Sequence, residues 1–170
     1  MFKADAPFSR GHAASGVMPV QTGPLIHVSW DASPDLEQFL GFINTYTKSR
    51  FSLSLAERVT LASTELLDNA VRYGSLARDF SFRLDVDPGL VAVSVANTTV
   101  RARVDMLSTQ LKRLETAPDQ VYAAEMERSL IQSGGRRSML GLARIRHEAD
   151  MRIELATSGN EVTVRASCAR

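Results

Sequence analysis

Residues 62–75 read ASTELLDNAVRYGS, and the fold turns on whether this stretch is a helix. Ala62, Leu66, Ala70 and Tyr73 recur at the spacing of one helical face, and Val59 extends the stripe upstream. Gly74 stops it. Ser54 and Glu57 form the S-x-x-E of a capping box and predict the helix start. On the polar side, Glu65 and Asn69 lie one turn apart and project together, with Asp68 and Arg72 beside them.

Upstream of this helix, residues 1–24 mix Gly, Ser, Pro and Ala without periodicity and read as a mobile arm, for which a partner or a second copy of the chain is a candidate dock. Leu25–Trp30 reads as a strand. Ser33-Pro34-Asp35 supplies a cap followed by proline, predicting a helix through about Lys48 with Leu36, Phe39, Leu40 and Ile43 inward. Downstream, Phe80, Phe82, Leu84 and Val86 alternate with polar residues, as do Val91, Val93 and Val95 with small ones, around the turn Asp87-Pro88-Gly89. The period then becomes helical, with Val104, Leu107, Leu111 and Leu114 on one face. A break at Ala117-Pro118-Asp119 precedes a second helix ending at Gly134-Gly135. Ser138 starts a third helix to about Glu148, and a hairpin around Ser158-Gly159-Asn160 closes the chain.

This order predicts an α+β fold, a two-layer α/β sandwich whose mixed, mostly antiparallel sheet is covered on one face by helices. The chain of 170 residues is 44% hydrophobic, enough for one core. Its 20 basic and 19 acidic residues leave a formal charge of +1, which argues against nucleic acid as a partner. No apolar run reaches the roughly 18 residues of a spanning helix, and the N-terminus lacks a leader pattern. The single cysteine, Cys168, has no partner within the chain and suits a reducing compartment. A cytoplasmic protein without membrane contact is the expectation.

A carboxylate and a carboxamide side by side are a sensible pair for phosphoryl transfer. The amide oxygen of Asn69 is a neutral ligand for Mg²⁺, while Glu65 can orient or deprotonate an attacking hydroxyl. The plainer alternative is that both belong to the solvated side of an amphipathic helix. His147, in RIRHEAD, has no neighbour at metal-ligand spacing and reads as a surface histidine.

TELLDNAVRYG resembles the N box of the GHKL (Bergerat-fold) ATPase superfamily, and in particular its small stand-alone members, the anti-sigma-factor serine kinases. The order of elements from Leu25 to the C-terminus is similar too. The resemblance implies a histidine kinase-like ATPase fold and binding of ATP and Mg²⁺. It makes Glu65 the catalytic carboxylate and Asn69 the magnesium-holding residue. At the adenine end the superfamily carries Asp-x-Gly-x-Gly, whereas VSVANTTV places Asn97 there, followed by Thr98, Thr99 and Val100. Asn97 keeps an amide oxygen for the adenine amino group and loses the charge. The glycine motif Gly-x-Gly-Leu-Gly-Leu is here RSMLGL. Leu140, Gly141 and Leu142 match, while Arg137 and Met139 replace glycines, so that phosphate would meet Gly141 backbone and the Arg137 guanidinium.

Residues 100–135 occupy the place of the nucleotide lid. Their apolar stripe must be buried on the domain itself, in a second subunit or against a partner, and if it covers the pocket it blocks nucleotide rather than gating it. Arg101, Arg103, Lys112 and Arg113 read as the solvated side. Two functions follow from the resemblance: an ATP-dependent serine kinase or anti-sigma-type regulator of a partner protein, or a nucleotide-free adaptor that binds a regulatory protein through the helical insertion.

Overall fold

The computed structural model describes residues 24–30, 35–74, 80–131 and 138–170. The predicted arm lies outside them except for Pro24, and so do Ser33, Pro34, Gly134, Gly135 and Arg137. The elements are β1 (Pro24–Trp30), α1 (Leu36–Arg50), α2 (Leu53–Tyr73), β2 (Phe80–Asp87), β3 (Leu90–Thr98), α3 (Arg101–Thr116), α4 (Pro118–Ile131), α5 (Ser138–His147), β4 (Arg152–Ser158) and β5 (Glu161–Ala169).

The five strands form one sheet in the order β1-β2-β3-β5-β4. Every pairing is antiparallel, so the mixed character expected of the sheet is absent among the described residues. The closing hairpin inserts β5 beside β3 and leaves β4 at the edge. Register fixes the faces: Phe82 stands opposite Val95 and Val95 opposite Val164, while Leu84 pairs with Val93 and Val93 with Ala166. These residues turn toward the helices, and Arg83, Ser94 and Arg165 fall on the opposite face, as the period of two requires. A two-layer α+β sandwich results.

α2 lies over β3, with α1 on one flank and α5 on the other, and α4 packs against α5. Val59, Leu66 and Leu67 of α2 are buried against Phe82, Leu84 and Val93, each such side chain contributing about 1.5–3 kcal/mol over an exposed one. At the α1 end, the Phe39 ring meets Trp30 at 4.9 Å and Phe82 at 5.1 Å between centroids, both edge to face. Arg58 of α2 ties down the end of α5, its Nε donating to the Ala149 carbonyl (2.5 Å) and its Nη2 to that of Asp150 (2.7 Å). Asp150, in the turn that follows α5, takes φ 46°, a left-handed conformation.

Two predicted caps shift. Asp35, rather than Ser33, caps α1 by accepting from the Gln38 backbone N–H at 3.0 Å. Ser52, rather than Ser54, caps α2 by accepting from Leu55 N–H, and Ser54 sits inside the helix. Two serines two residues apart offer the same chemistry, and the extended backbone of Ser52 selects it. Ser52→Ala is therefore expected to cost about 1 kcal/mol in urea unfolding, whereas Ser54→Ala should stay within about 0.5 kcal/mol. The reverse ranking would restore the capping box.

Candidate functional site

The C-terminal carbonyls of a helix have no partner within it, and in α2 they are met by residues at the end of β3 and just beyond it. Asn97 Nδ2 donates to the Ala70 carbonyl at 3.2 Å, alongside the Gly74 N–H at 2.8 Å. Thr99 Oγ1 and Arg103 Nη1 both donate to the Tyr73 carbonyl, at 2.8 and 2.9 Å. The Arg103 guanidinium also lies over the Tyr73 ring, 5.4 Å from its centroid, and puts a cation at the negative end of the helix. A Cβ at position 74 would stand 2.6 Å from the Ala70 oxygen and 3.2 Å from Asn97 Nδ2, so this junction requires glycine. Arg103, read from the sequence as solvated, is a fastener between α3 and α2.

Fastened this way, α3 roofs the space between α2, α5 and the sheet. The cavity that remains holds about 70 Å³. Leu66, Ala70, Val95, Leu142 and Val164 form its apolar walls, Met106, Leu107 and Gln110 of α3 close it, and Asn69 and Asn97 bring carboxamides to it. Sites for drug-sized ligands run to roughly 300–1,000 Å³. The cavity stays well below that range while α3 keeps this seat.

Glu65 faces another way. Its side chain is only 16% exposed and forms an ion pair with Arg144 of α5. A Cβ at position 141 would come 2.5 Å from Glu65 Oε2, so the carboxylate packs directly on the Gly141 backbone. Arg144 in turn grips Glu148 through two hydrogen bonds of 3.0 and 3.1 Å, and Glu148 accepts from the Tyr122 hydroxyl at 3.0 Å. The Tyr122 ring stacks on His147 at 4.1 Å, and His147 Nδ1 lies 3.1 Å from Asp119. The chain of contacts thus runs from α2 through α5 to α4. Burial raises the Glu65 pKa above the ordinary carboxylate value, and the attraction of Arg144 does not cancel it. Hydrogen bonding from Arg144 lowers that of Glu148.

Of the sequence-predicted site residues, Asn69, Asn97 and Leu142 line the cavity. Glu65 and Gly141 meet each other at the α2–α5 contact. Leu140 is half-buried on α5, and Arg137 lies outside the described residues. Asn97 spends its amide hydrogens on α2 rather than presenting a free side chain. Arg144, which sequence reasoning passed over, had one visible signal, its i,i+4 spacing to Glu148. Its partner 79 residues away had none. Among the described residues no cluster of His, Cys, Asp and Glu is placed to hold a metal ion, and no helix is long and apolar enough to cross a membrane.

No family model matches this sequence, and no curated protein is similar to it. Among solved structures it is similar to a chain of the SiaB–SiaC complex from Pseudomonas aeruginosa, at 16% identity over 86% of this chain and 91% of that one, with a TM-score of 0.62. The likeness is one of fold.

Two measurements probe the Glu65 contact. Gly141→Ala is expected to cost about 1–3 kcal/mol in urea unfolding. The cost should shrink in a Glu65→Ala background, because the added methyl then meets no carboxylate; strict additivity would contradict the contact. Glu65 binds its proton more tightly folded than unfolded, so its ionisation costs stability at neutral pH. Relative to Glu65→Gln, the natural protein should gain stability as pH falls from 7 toward the unfolded carboxylate value. A difference that stays flat or falls over that range would reverse the assigned direction.

Proposed function

We propose that this protein is a regulator that works by binding a partner protein, built on a scaffold resembling the GHKL ATPases, and that it acts in its resting form as a nucleotide-free adaptor. The observation that carries this reading is the seat of α3. Thr99 and Arg103 fasten the start of the helical insertion to the end of α2, and Met106, Leu107 and Gln110 close the cavity beside Asn69 and Asn97, leaving about 70 Å³. Glu65, which the resemblance makes the catalytic carboxylate, is held by Arg144. The replacement of the adenine-side aspartate and its glycines by Asn97-Thr98-Thr99 supports the same reading. So does the likeness to a chain from a two-protein complex, which lends weight to a protein ligand.

One set of contacts favours a second reading, an ATP- and Mg²⁺-dependent serine kinase of the anti-sigma type. Glu65 and Asn69 from α2 and Gly141 and Leu142 from α5 lie at the junction where the resemblance puts catalytic, magnesium-holding and phosphate-binding groups. That reading requires α3 to leave the cavity and Arg144 to release Glu65.

A ligand that binds only the folded state raises the melting temperature by mass action. On the adaptor reading, millimolar ATP–Mg²⁺ leaves the melting temperature of the natural protein unchanged. A rise of several degrees that disappears in Asn69→Ala would replace the adaptor with the kinase.

A further inference from the structure

The sheet has two edges, and they differ. At β1 the register breaks between Pro24 and Ile26, and a proline starts the strand; both features discourage pairing with another chain. β4 pairs regularly with β5 from Arg152 to Ser158 and has no strand on its other side among the described residues. Alternate residues of such a strand turn their N–H and C=O groups outward. The charged pair Arg152–Glu154 guards only its first half, while Ala156 and Thr157 are exposed and uncharged.

α3 runs beside this edge without sealing it. Between them lies a groove of about 670 Å³, bounded by Ser108, Leu111 and Lys112 on the helix and by Ile153–Ala156 on the strand. A second hollow of about 400 Å³ shares Leu111, Glu115 and Ile153 with it and extends it toward Arg146 and Arg152. The charges along this path are unbalanced: Lys112, Arg146, Arg152 and Arg165 stand against Glu115 and Glu154. Arg146 and Arg152 are engaged with Asp150 and Glu154, whereas Lys112 and Arg165 have no ion-pair partner among the described residues. Among the described residues the path therefore offers an unpaired strand edge, the half-buried Leu155 above the buried Leu111 and Ile153, and two cations without an ion-pair partner.

We propose that this groove takes an extended acidic segment of the partner protein as a sixth strand, paired with β4 and walled by α3. Backbone hydrogen bonds to the edge would give affinity, and alternate side chains, apolar toward Leu155 on the helix side and acidic toward Arg165 on the opposite face, with Lys112 on the α3 wall, would give specificity. The inference rests on the reading of the protein as a partner-binding regulator and names the face and the partner's chemistry. It also assigns α3 a double role. One side fills the cavity over Asn69 and Asn97 and the other forms the wall of the groove, so a bound strand holds α3 in the seat that excludes nucleotide.

The test uses the full chain and an acetylated, amidated octapeptide alternating valine and glutamate, followed by amide NMR. The expected result is saturable binding with shift changes and slowed amide exchange along residues 152–158. The affinity should drop about tenfold in the Lys112→Glu/Arg165→Glu double variant, whose melting temperature should match the natural protein's. The same peptide with lysine for glutamate should bind more weakly. No response at millimolar peptide, a response confined to β1, or equal affinity for the double variant overturns the groove. Stabilisation by ATP–Mg²⁺ bears on the adaptor reading and leaves this result untouched, so the two can fail separately.

Discussion

The carbonyl end of α2 is the point on which this molecule is organised. A helix that stops beneath another element leaves acceptors that burial would make costly. Here they are satisfied by three residues within seven positions of one another, Asn97, Thr99 and Arg103, which straddle the exit from β3 and the first turn of α3. A chain leaving the sheet in another direction would take Thr99 and Arg103 away from the Tyr73 carbonyl. One local demand for hydrogen bonds therefore aims a sixteen-residue helix across the cleft.

The cavity and the groove lie on the two sides of that helix. On its inner side the small cavity is left beside Asn69 and Asn97. On its outer side Leu111 and Lys112 line a groove along β4, which has no further strand beside it among the described residues. On the proposed reading α3 couples the two: a strand in the groove would hold the helix over the cavity, and a ligand that needs the cavity would have to displace it.

The α2–α5 contact is a second constraint, independent of the first. Gly141 has no side chain and lets the Glu65 carboxylate sit against the helix backbone, where Arg144 reaches it. A buried carboxylate with an arginine partner is well held and still carries the cost of its desolvation, which is why its pKa moves up rather than down. Arg144 passes the interaction on to Glu148 and Tyr122, so α2, α5 and α4 are joined by polar contacts as well as by packing.

Much of the architecture was legible in the sequence because it depends on local periodicity. The stripe Val59–Tyr73, the alternation of Phe82 and Leu84 with Arg83, and the turn at Asp87-Pro88-Gly89 each follow from the backbone repeat of a helix or strand. Caps were legible only to within two residues, since Ser52 and Ser54 carry the same hydroxyl and only the backbone conformation chooses between them. What the sequence by itself determined was the order of elements, the inward faces and the pairing of Glu65 with Asn69 on one helix. The tertiary structure alone decided that Glu65 turns to Arg144 while Asn69 turns to the cavity, that Arg103, though exposed, caps a helix, and that β4 is left with a free edge among the described residues. The physical reason is distance along the chain: neighbours three or four apart are set by the helix itself, whereas partners separated by 30 or 79 residues are chosen by which elements pack together.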